Sequence, residues 1–264
     1  MLTLSGIAKC FHKGTVSEVR ALNGVDLEIE RGDFLTVIGS NGAGKSTLLN
    51  CVAGSFFPDT GRIRLSGRDI TPLPEYKRAK FTGRVFQDPL MGSAASLSIE
   101  ENLALADRRG ARRGLSVGVK ASDRERYREL LARVGLGLES RLKDKVGLLS
   151  GGQRQSLTMI MATMARPQIL LLDEHTAALD PKTAGHVLAL TQTLVGSQKL
   201  TTLMVTHNMN HALRFGNRLI MMHQGQIILD IAGEQKSVLR VEDILERFYS
   251  LRGEAFSADK MLLV

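Results

Sequence analysis

An α/β fold with a mainly parallel sheet, covered by helices on both faces, is the architecture this sequence predicts. Two observations carry the expectation. Short apolar runs such as "QILLLDE" and "LTTLMVTH" alternate with longer stretches of helical spacing such as "PKTAGHVLALTQTLV", and buried strands separated by helices form parallel sheets. The run "DFLTVIGS" passes directly into glycine-rich sequence and then into "STLLNCVAGS", an order of strand, turn and helix.

Taken in order, the first thirty residues read as short strands of an N-terminal antiparallel β subdomain, with "GVDLEIE" alternating apolar and polar residues as a half-buried strand does. "STLLNCVAGS" is a helix closed by Gly54, and "GRIRLSG" a short strand between glycines. After "GRVFQDP" the sequence becomes helical. "SIEENLALA" opens on Ser98 with Glu101 three residues on, a capping-box pattern. "RRGARRGLSVGVK" is a glycine-broken basic loop and "SDRERYRELLARVGL" a second helix, so residues 88–148 form a helical insertion. From Ser150 the alternation resumes with the helix "QRQSLTMIMATMA", and "NRLIMMHQGQIILD" completes the set as a hairpin. The nucleotide-binding core spans 1–87 and 149–230, and a tail covers 231–264. In that tail Val241, Ile244, Leu245 and Phe248 form a stripe at helical spacing, suited to packing on the chain's own core or on a partner.

Of the 264 residues, 43% are hydrophobic and 23% charged, ordinary for a globular protein with a sizeable core. The longest run of apolar side chains is four residues, too short for a membrane-spanning helix. The N-terminus lacks the charged start and long apolar centre of a signal peptide. Two cysteines, Cys10 and Cys51, without a CxxC, fit a reducing compartment and argue against a disulfide framework or a zinc site. Net charge is +8, and residues 107–145 carry twelve Lys or Arg against six Asp or Glu. Such a patch suits nucleic acid, anionic lipid, a charged partner or simply a solvated helical face. Only Tyr127 interleaves it, so the stacking platform for single-stranded nucleic acid is missing.

The chemistry concentrates in a few motifs. "GSNGAGKST", Gly39, Ser40, Asn41, Gly42, Ala43, Gly44, Lys45, Ser46 and Thr47, is a phosphate loop following a strand and opening a helix. Its glycines let successive N–H groups point inward, and the helix N-terminus adds partial positive charge. Lys45 is placed for the β- and γ-phosphates of ATP, and Ser46 for Mg²⁺. The apolar strand Ile169–Leu172 leads into Asp173 and Glu174, the first placed to hold Mg²⁺ and the second to polarise the attacking water. His207, in "MVTHN", ends another strand and can contact the γ-phosphate or orient that water. Gln87, in "VFQDP", ends a third strand and is a Mg²⁺ or water contact. His207 and His211 also have helical metal-pair spacing, but no third ligand accompanies them. "GLLSGGQRQ", residues 147–155, is a second glycine turn suited to gripping phosphate.

Phosphate loop, Gln87, "LSGGQ", "ILLLDE", "AALD" and His207 occur in that order. In this the chain resembles the nucleotide-binding subunit of ATP-binding-cassette (ABC) proteins, to about residue 230. The resemblance implies a P-loop NTPase core. It also implies two cassettes paired head to tail, as a homodimer or with another cassette, each ATP lying between the phosphate loop of one and the "LSGGQ" of the other. Ser150, Gly151, Gly152 and Gln153 then grip the partner's nucleotide, Phe11 stacks on adenine, Asp180 couples the two sites, and residues 88–148 with the Gln87 loop dock on a membrane permease. Two departures stand out: His175 follows Glu174 where the family usually has proline, and the stretch after "LSGGQ" is poor in arginine. "DEHTAALDPKTA" is similar to bacterial importers of amino-acid-like solutes, whose permeases resemble branched-chain amino-acid permeases.

These resemblances imply an ATPase peripheral on the inner face of the cell membrane, with a separate integral permease and an extracytoplasmic solute-binding protein. No nucleic acid is expected as a partner. The alternatives are a soluble ABC ATPase acting on nucleic acid or ribosomes, and a cassette driving a membrane complex that moves no solute. Substrate specificity would reside in the permease and solute receptor.

Overall fold

The computed structural model describes residues 1–111 and 117–252, with side chains described to residue 248. In chain order the elements are β1 (Leu2–Phe11), β2 (Val19–Ile29), β3 (Phe34–Gly39), α1 (Lys45–Ala53), β4 (Thr60–Leu65), β5 (Arg68–Asp69), α2 (Glu75–Arg78), β6 (Thr82–Val85) and α3 (Ile99–Asp107). There follow α4 (Ala121–Ala132), α5 (Gly151–Met164), β7 (Ile169–Asp173), α6 (Pro181–Gln198), β8 (Thr202–Val205), α7 (Met209–Arg214), β9 (Arg218–His223), β10 (Gln226–Ala232), α8 (Gly233–Ser237) and α9 (Val241–Arg252). Two compact units contain them: Met1–Arg78 with Thr201–Val264, and Ala79–Leu200.

The first unit holds an antiparallel sheet in the order β2-β1-β4-β5 and the strands around β3. β3 runs parallel to both β8 and β9, and β10 returns antiparallel to β9 as the expected hairpin. Every residue of β3 from Phe34 to Ile38 is buried, as befits a strand covered on both faces. α1 ends where the sequence indicates, with Gly54 in the left-handed conformation at its C-cap. Its last turn is held by the fully buried Arg78, which donates to the carbonyls of Cys51, Val52, Thr71 and Leu73. A guanidinium with a fixed fork of donors satisfies helix-end carbonyls that otherwise have no partner. On the other side of the sheet, Ile244 and Phe248 of α9 pack with Met209 and Ala212 of α7 on Ile38, Leu219 and Met221. The stripe in the tail therefore serves this chain's own core.

The second unit holds β6 and β7 in parallel, in the register Thr82↔Ile169 to Val85↔Leu172. Its helices gather around Ile99, Leu103, Tyr127, Leu131, Leu138, Val146, Leu157 and Ile160. The capping box at α3 is present: Ser98 accepts from the Glu101 amide, and the Glu101 carboxylate accepts from Ser98 N–H and O–H. The basic loop expected after α3 falls partly on residues 112–116, outside the described residues.

Two strand ends differ from expectation. β6 stops at Val85 and β8 at Val205, so Gln87 and His207 each lie in the loop beyond a strand. Thr206, buried just after β8, donates its N–H to Val37 O, then offers its side chain to Asn208 N–H. That side-chain bond is a turn rather than a ladder contact. α5 begins at Gly151, ahead of the expected start at Gln153.

Candidate functional site

In the first unit the phosphate loop bends between β3 and α1. Gly44, the N-cap of α1, has φ +100°, and a Cβ there would stand 2.3 Å from Ala21 O. Only glycine permits both that backbone and that approach. No side chain caps α1 and no acid lies in its first turn, so its partial positive charge stays available to an anion. The contrast with α3, whose start is capped by Ser98 and carries Glu100 and Glu101, is a contrast of use. Lys45 is buried, its Nζ donating to Gly39 O (2.6 Å) and Ser40 O (3.0 Å). The ammonium is thus held inside the curl of the loop. Ser40 and Thr47 are partly exposed, Asn41 and Ser46 exposed, and Gly42 and Ala43 complete the turn.

His207 lies beside this loop. With Gly39, Ser40, Ile38, Met209, Met221 and Phe248 it lines an almost wholly apolar cavity of about 10 Å³. Its following helix α7 is fixed to β3, because the buried Thr36 hydroxyl donates to Ala212 O (2.9 Å). His207 itself precedes α7, whose N-cap is Asn208, so it does not share a helix with His211 as the metal-pair spacing would require. Phe248 closes the far wall of the cavity and meets the His223 ring edge-on at 5.6 Å. Phe11 ends β1, partly exposed, with its ring against Phe56 (centroids 5.3 Å apart) and the Lys9 ammonium 5.7 Å above it.

In the second unit, Asp173 is the last residue of β7 and Glu174 follows in the left-handed conformation, φ +42°. That is strained backbone for a non-glycine residue, the kind retained where a side chain must be aimed. Gln87 is exposed in the loop after β6. These two loops are tied by a residue the sequence reading passed over. Gln155, fully buried on α5, donates from Nε2 to Phe86 O (3.0 Å) and to His175 O (2.7 Å). One amide thus holds the residue before Gln87 and the residue after Glu174. His175, in the position where proline was expected, is buried, with Nε2 3.1 Å from the Thr191 hydroxyl of α6. Arg84 of β6 reaches Asp173, Nη2 to Oδ2 3.5 Å.

The turn "LSGGQ" opens α5. Ser150 is the N-cap, its hydroxyl accepting from Gln153 N–H, while Gln153 Oε1 accepts from Ser150 N–H. This is a capping box written with glutamine, and the hydroxyl hydrogen of Ser150 stays available to a further acceptor. Gly151 is exposed. A Cβ on Gly152 would stand 2.0 Å from Thr183 Cγ2 of α6, so glycine there lets α5 and α6 approach. Asp180 caps α6, accepting from Thr183 N–H at 3.1 Å. Hydrogen bonding to Thr183 holds its carboxyl below the usual range.

The three side chains nominated for a metal, Ser46, Gln87 and Asp173, bring hydroxyl, amide and carboxylate oxygen, all with some exposure. Hard oxygen donors of this kind suit Mg²⁺.

A sequence model of the ABC transporter family matches residues 22–177. The chain is 45% identical over 248 residues, 94% of its length, to the tyrosine transport ATP-binding protein of Clostridioides difficile, and covers 98% of that protein. It is 36% identical over 233 residues, 86% of its length, to a methionine import ATP-binding protein of Bacillus licheniformis, spanning 66% of it. A dimeric ATP-binding cassette in a post-hydrolysis state with ADP and Pi superposes with a TM-score of 0.75 at 30% identity, covering 88% of this chain and 98% of that one. The ADP conformation of another ABC transporter cassette gives 0.75 at 27% identity, covering 94% and 98%.

Proposed function

Because this chain belongs to the ABC transporter family of ATP-hydrolysing cassettes, we propose that it powers a separate membrane permease that imports an amino-acid-like solute. The observation that carries the reading is the pair of unlike phosphate-gripping helix starts. α1 has Lys45 folded into its loop and can hold a nucleotide by itself. α5 begins with serine and two glycines, and its nearest cation, Arg154, already donates to Val146 O, Gly147 O and Leu149 O. Such a turn completes a phosphate site built elsewhere, which supports a head-to-tail dimer with two equivalent ATPs. The dimeric cassette with ADP and Pi supports a dimer.

In this reading Phe11 stacks on adenine. The amides of Gly39–Thr47 and the Lys45 ammonium bind the phosphates, Lys45 exchanging two backbone carbonyls for phosphate oxygens. Ser46, Gln87 and Asp173 would hold Mg²⁺, which would supply neutralisation of phosphate charge. Glu174 orients the attacking water and accepts its proton, and His207 hydrogen-bonds the γ-phosphate. Ser150 Oγ and the amides of Gly151 and Gly152 bind the partner's γ-phosphate, with Gln153 fixing the Ser150 rotamer. Asp180 relays closure from one nucleotide to the other.

The permease would dock beside the Gln87 loop. A cleft of about 340 Å³ there is lined by Met91, Asn102, Leu105, Arg109 and Met161. Met91 and Leu105 are exposed at 70% and 50%, and apolar side chains this open around a cleft suit a partner's helix. None of the described helices is long and apolar enough to cross a membrane, which supports peripheral attachment at the inner face through that permease. An extracytoplasmic solute-binding protein is the remaining component. The tyrosine and methionine transport relatives support an amino-acid-like substrate.

Glu174→Gln tests the reading. With ATP and Mg²⁺ it is expected to lose turnover, keep nucleotide and run as a dimer in size exclusion. Extracted from membranes in mild detergent, it should bring a multi-span protein in comparable amount. Turnover retained by the variant, or copurification of ribosomes with no membrane partner, would overturn it.

A further inference from the structure

Arg84 has no part in the roles assigned above, yet it forms an ion pair with Asp173. β6 is a short strand whose other three residues are buried, an expensive setting for a charge unless it is compensated. Its register against β7 pairs Arg84 with Leu171. Alternation then brings Arg84 and Asp173 to the same face, as diagonal neighbours at the carboxyl ends of the strands. The guanidinium reaches the carboxylate at 3.5 Å with side-chain exposures of 12% and 18%, and lies 4.4 Å from the centroid of the Phe86 ring. Stacking and ion pairing together fix its plane, a combination arginine makes and lysine does not.

We propose that Arg84 is a resident counter-cation for Asp173, which holds the carboxylate in place when no metal is bound and weakens Mg²⁺ binding when nucleotide is present. This rests on the reading of Asp173 as a Mg²⁺ residue. Asp173 is half-buried, and an unaccompanied carboxylate there would turn toward solvent or attract another cation. The guanidinium supplies that cation from within the chain. When Mg²⁺ arrives with nucleotide, the same carboxylate faces two positive groups. Arg84 therefore acts as a positioning residue: it keeps Asp173 ready and keeps metal uptake reversible between turnovers.

The test is Mg²⁺ titration of the full-length chain saturated with ADP, followed by calorimetry, so that the readout is a binding constant rather than turnover. Arg84→Met is expected to bind Mg²⁺ about tenfold more tightly than wild type. That is the scale for removing a unit charge one side chain away from a divalent ion at a partly buried site near the surface. Affinity for ADP without metal should be unchanged. Arg84→Lys, which keeps the charge, should stay near wild type. Arg84→Gln, which keeps a polar group but no charge, should follow the methionine variant and serves if that one folds poorly. Mg²⁺ affinity equal to or weaker than wild type in the neutral variants would overturn the assignment of Arg84 alone. A wild-type chain that takes ADP but no Mg²⁺, or no nucleotide at all, would overturn the reading of the site beneath it.

Discussion

Replacing Gln155 by alanine removes the side-chain amide that donates to two backbone carbonyls, Phe86 O and His175 O, beside the catalytic loops. The His175 carbonyl, reached at 2.7 Å, belongs to a buried bond, and the Phe86 carbonyl, reached at 3.0 Å, to a partly buried one. Losing the first, a buried bond, should cost about 1–3 kcal/mol, and losing the second about 1 kcal/mol because water can replace it. The sum, about 2–4 kcal/mol, corresponds to a fall in melting temperature of roughly 4–16 °C for a chain of this size. The functional effect should be larger than the stability effect suggests. Glu174 precedes one released carbonyl and Gln87 follows the other, and misplacing a catalytic group by ~1 Å can lower a rate by about 10²-fold. Lys45 and its loop belong to the other unit, so nucleotide binding by the monomer should change less than about twofold, a small difference beside these energies. Gln155→Glu keeps the shape but sets a carboxylate against two carbonyl oxygens, and should be worse than alanine on both counts. Thermal unfolding, steady-state hydrolysis and ATP titration on the three proteins check this. Q155A with wild-type turnover, or with ATP affinity lost in proportion to turnover, would refute the reasoning.

Two further outcomes are expected. Lys45→Ala should lower ATP affinity by roughly 10²–10⁴-fold, the loss of two charge-assisted contacts worth about 1.5–3 kcal/mol each, measured by calorimetry at fixed salt. Lys236, buried with its ammonium donating to Phe215 O and Gly216 O, has its pKa pushed down by burial from 10.5 to about 8. The folded chain therefore binds fewer protons than the unfolded chain between those values, so this residue makes stability rise with pH across that window; its penalty is present in full below pH 8. Melting curves taken across the window should rise less steeply for Lys236→Met than for wild type, and identical slopes would contradict the assignment.

Much of this was legible in the sequence because it is local. The phosphate loop, the cap at Gly54, the Ser98–Glu101 box and the β9–β10 hairpin each depend on residues a few positions apart. Asp173 could be set at a strand end because four aliphatic residues precede it. What escaped depends on pairing between distant segments. Arg84 carried a readable signal, a charge inside "TGRV", but its partner follows only from the register of β6 on β7. Gln155 lies among polar residues at the start of an otherwise apolar helix, and nothing local says that it reaches two loops at once. His175 in place of proline was noticed as a departure, yet its contact with Thr191 needs the packing of α6. β8 ends earlier than its apolar run suggests because the Thr206 side chain, accepting from Asn208 N–H, turns the chain there.

The wall that Phe248 forms behind Gly39, Ser40 and His207 has a consequence for the order in which this protein is made. The phosphate loop leaves the ribosome early, but the strands that flank β3 and the residues that line its cavity, His207, Met209 and Met221 among them, come only after residue 200. Its rear is finished last, when α9 emerges. Until then Ile38, Met209 and Met221 have an open side where Phe248 will pack. A premature stop or a protease cut ahead of residue 241 would leave every sequence motif intact while removing that wall. Such a chain would look complete by its motifs and behave as an unfinished one.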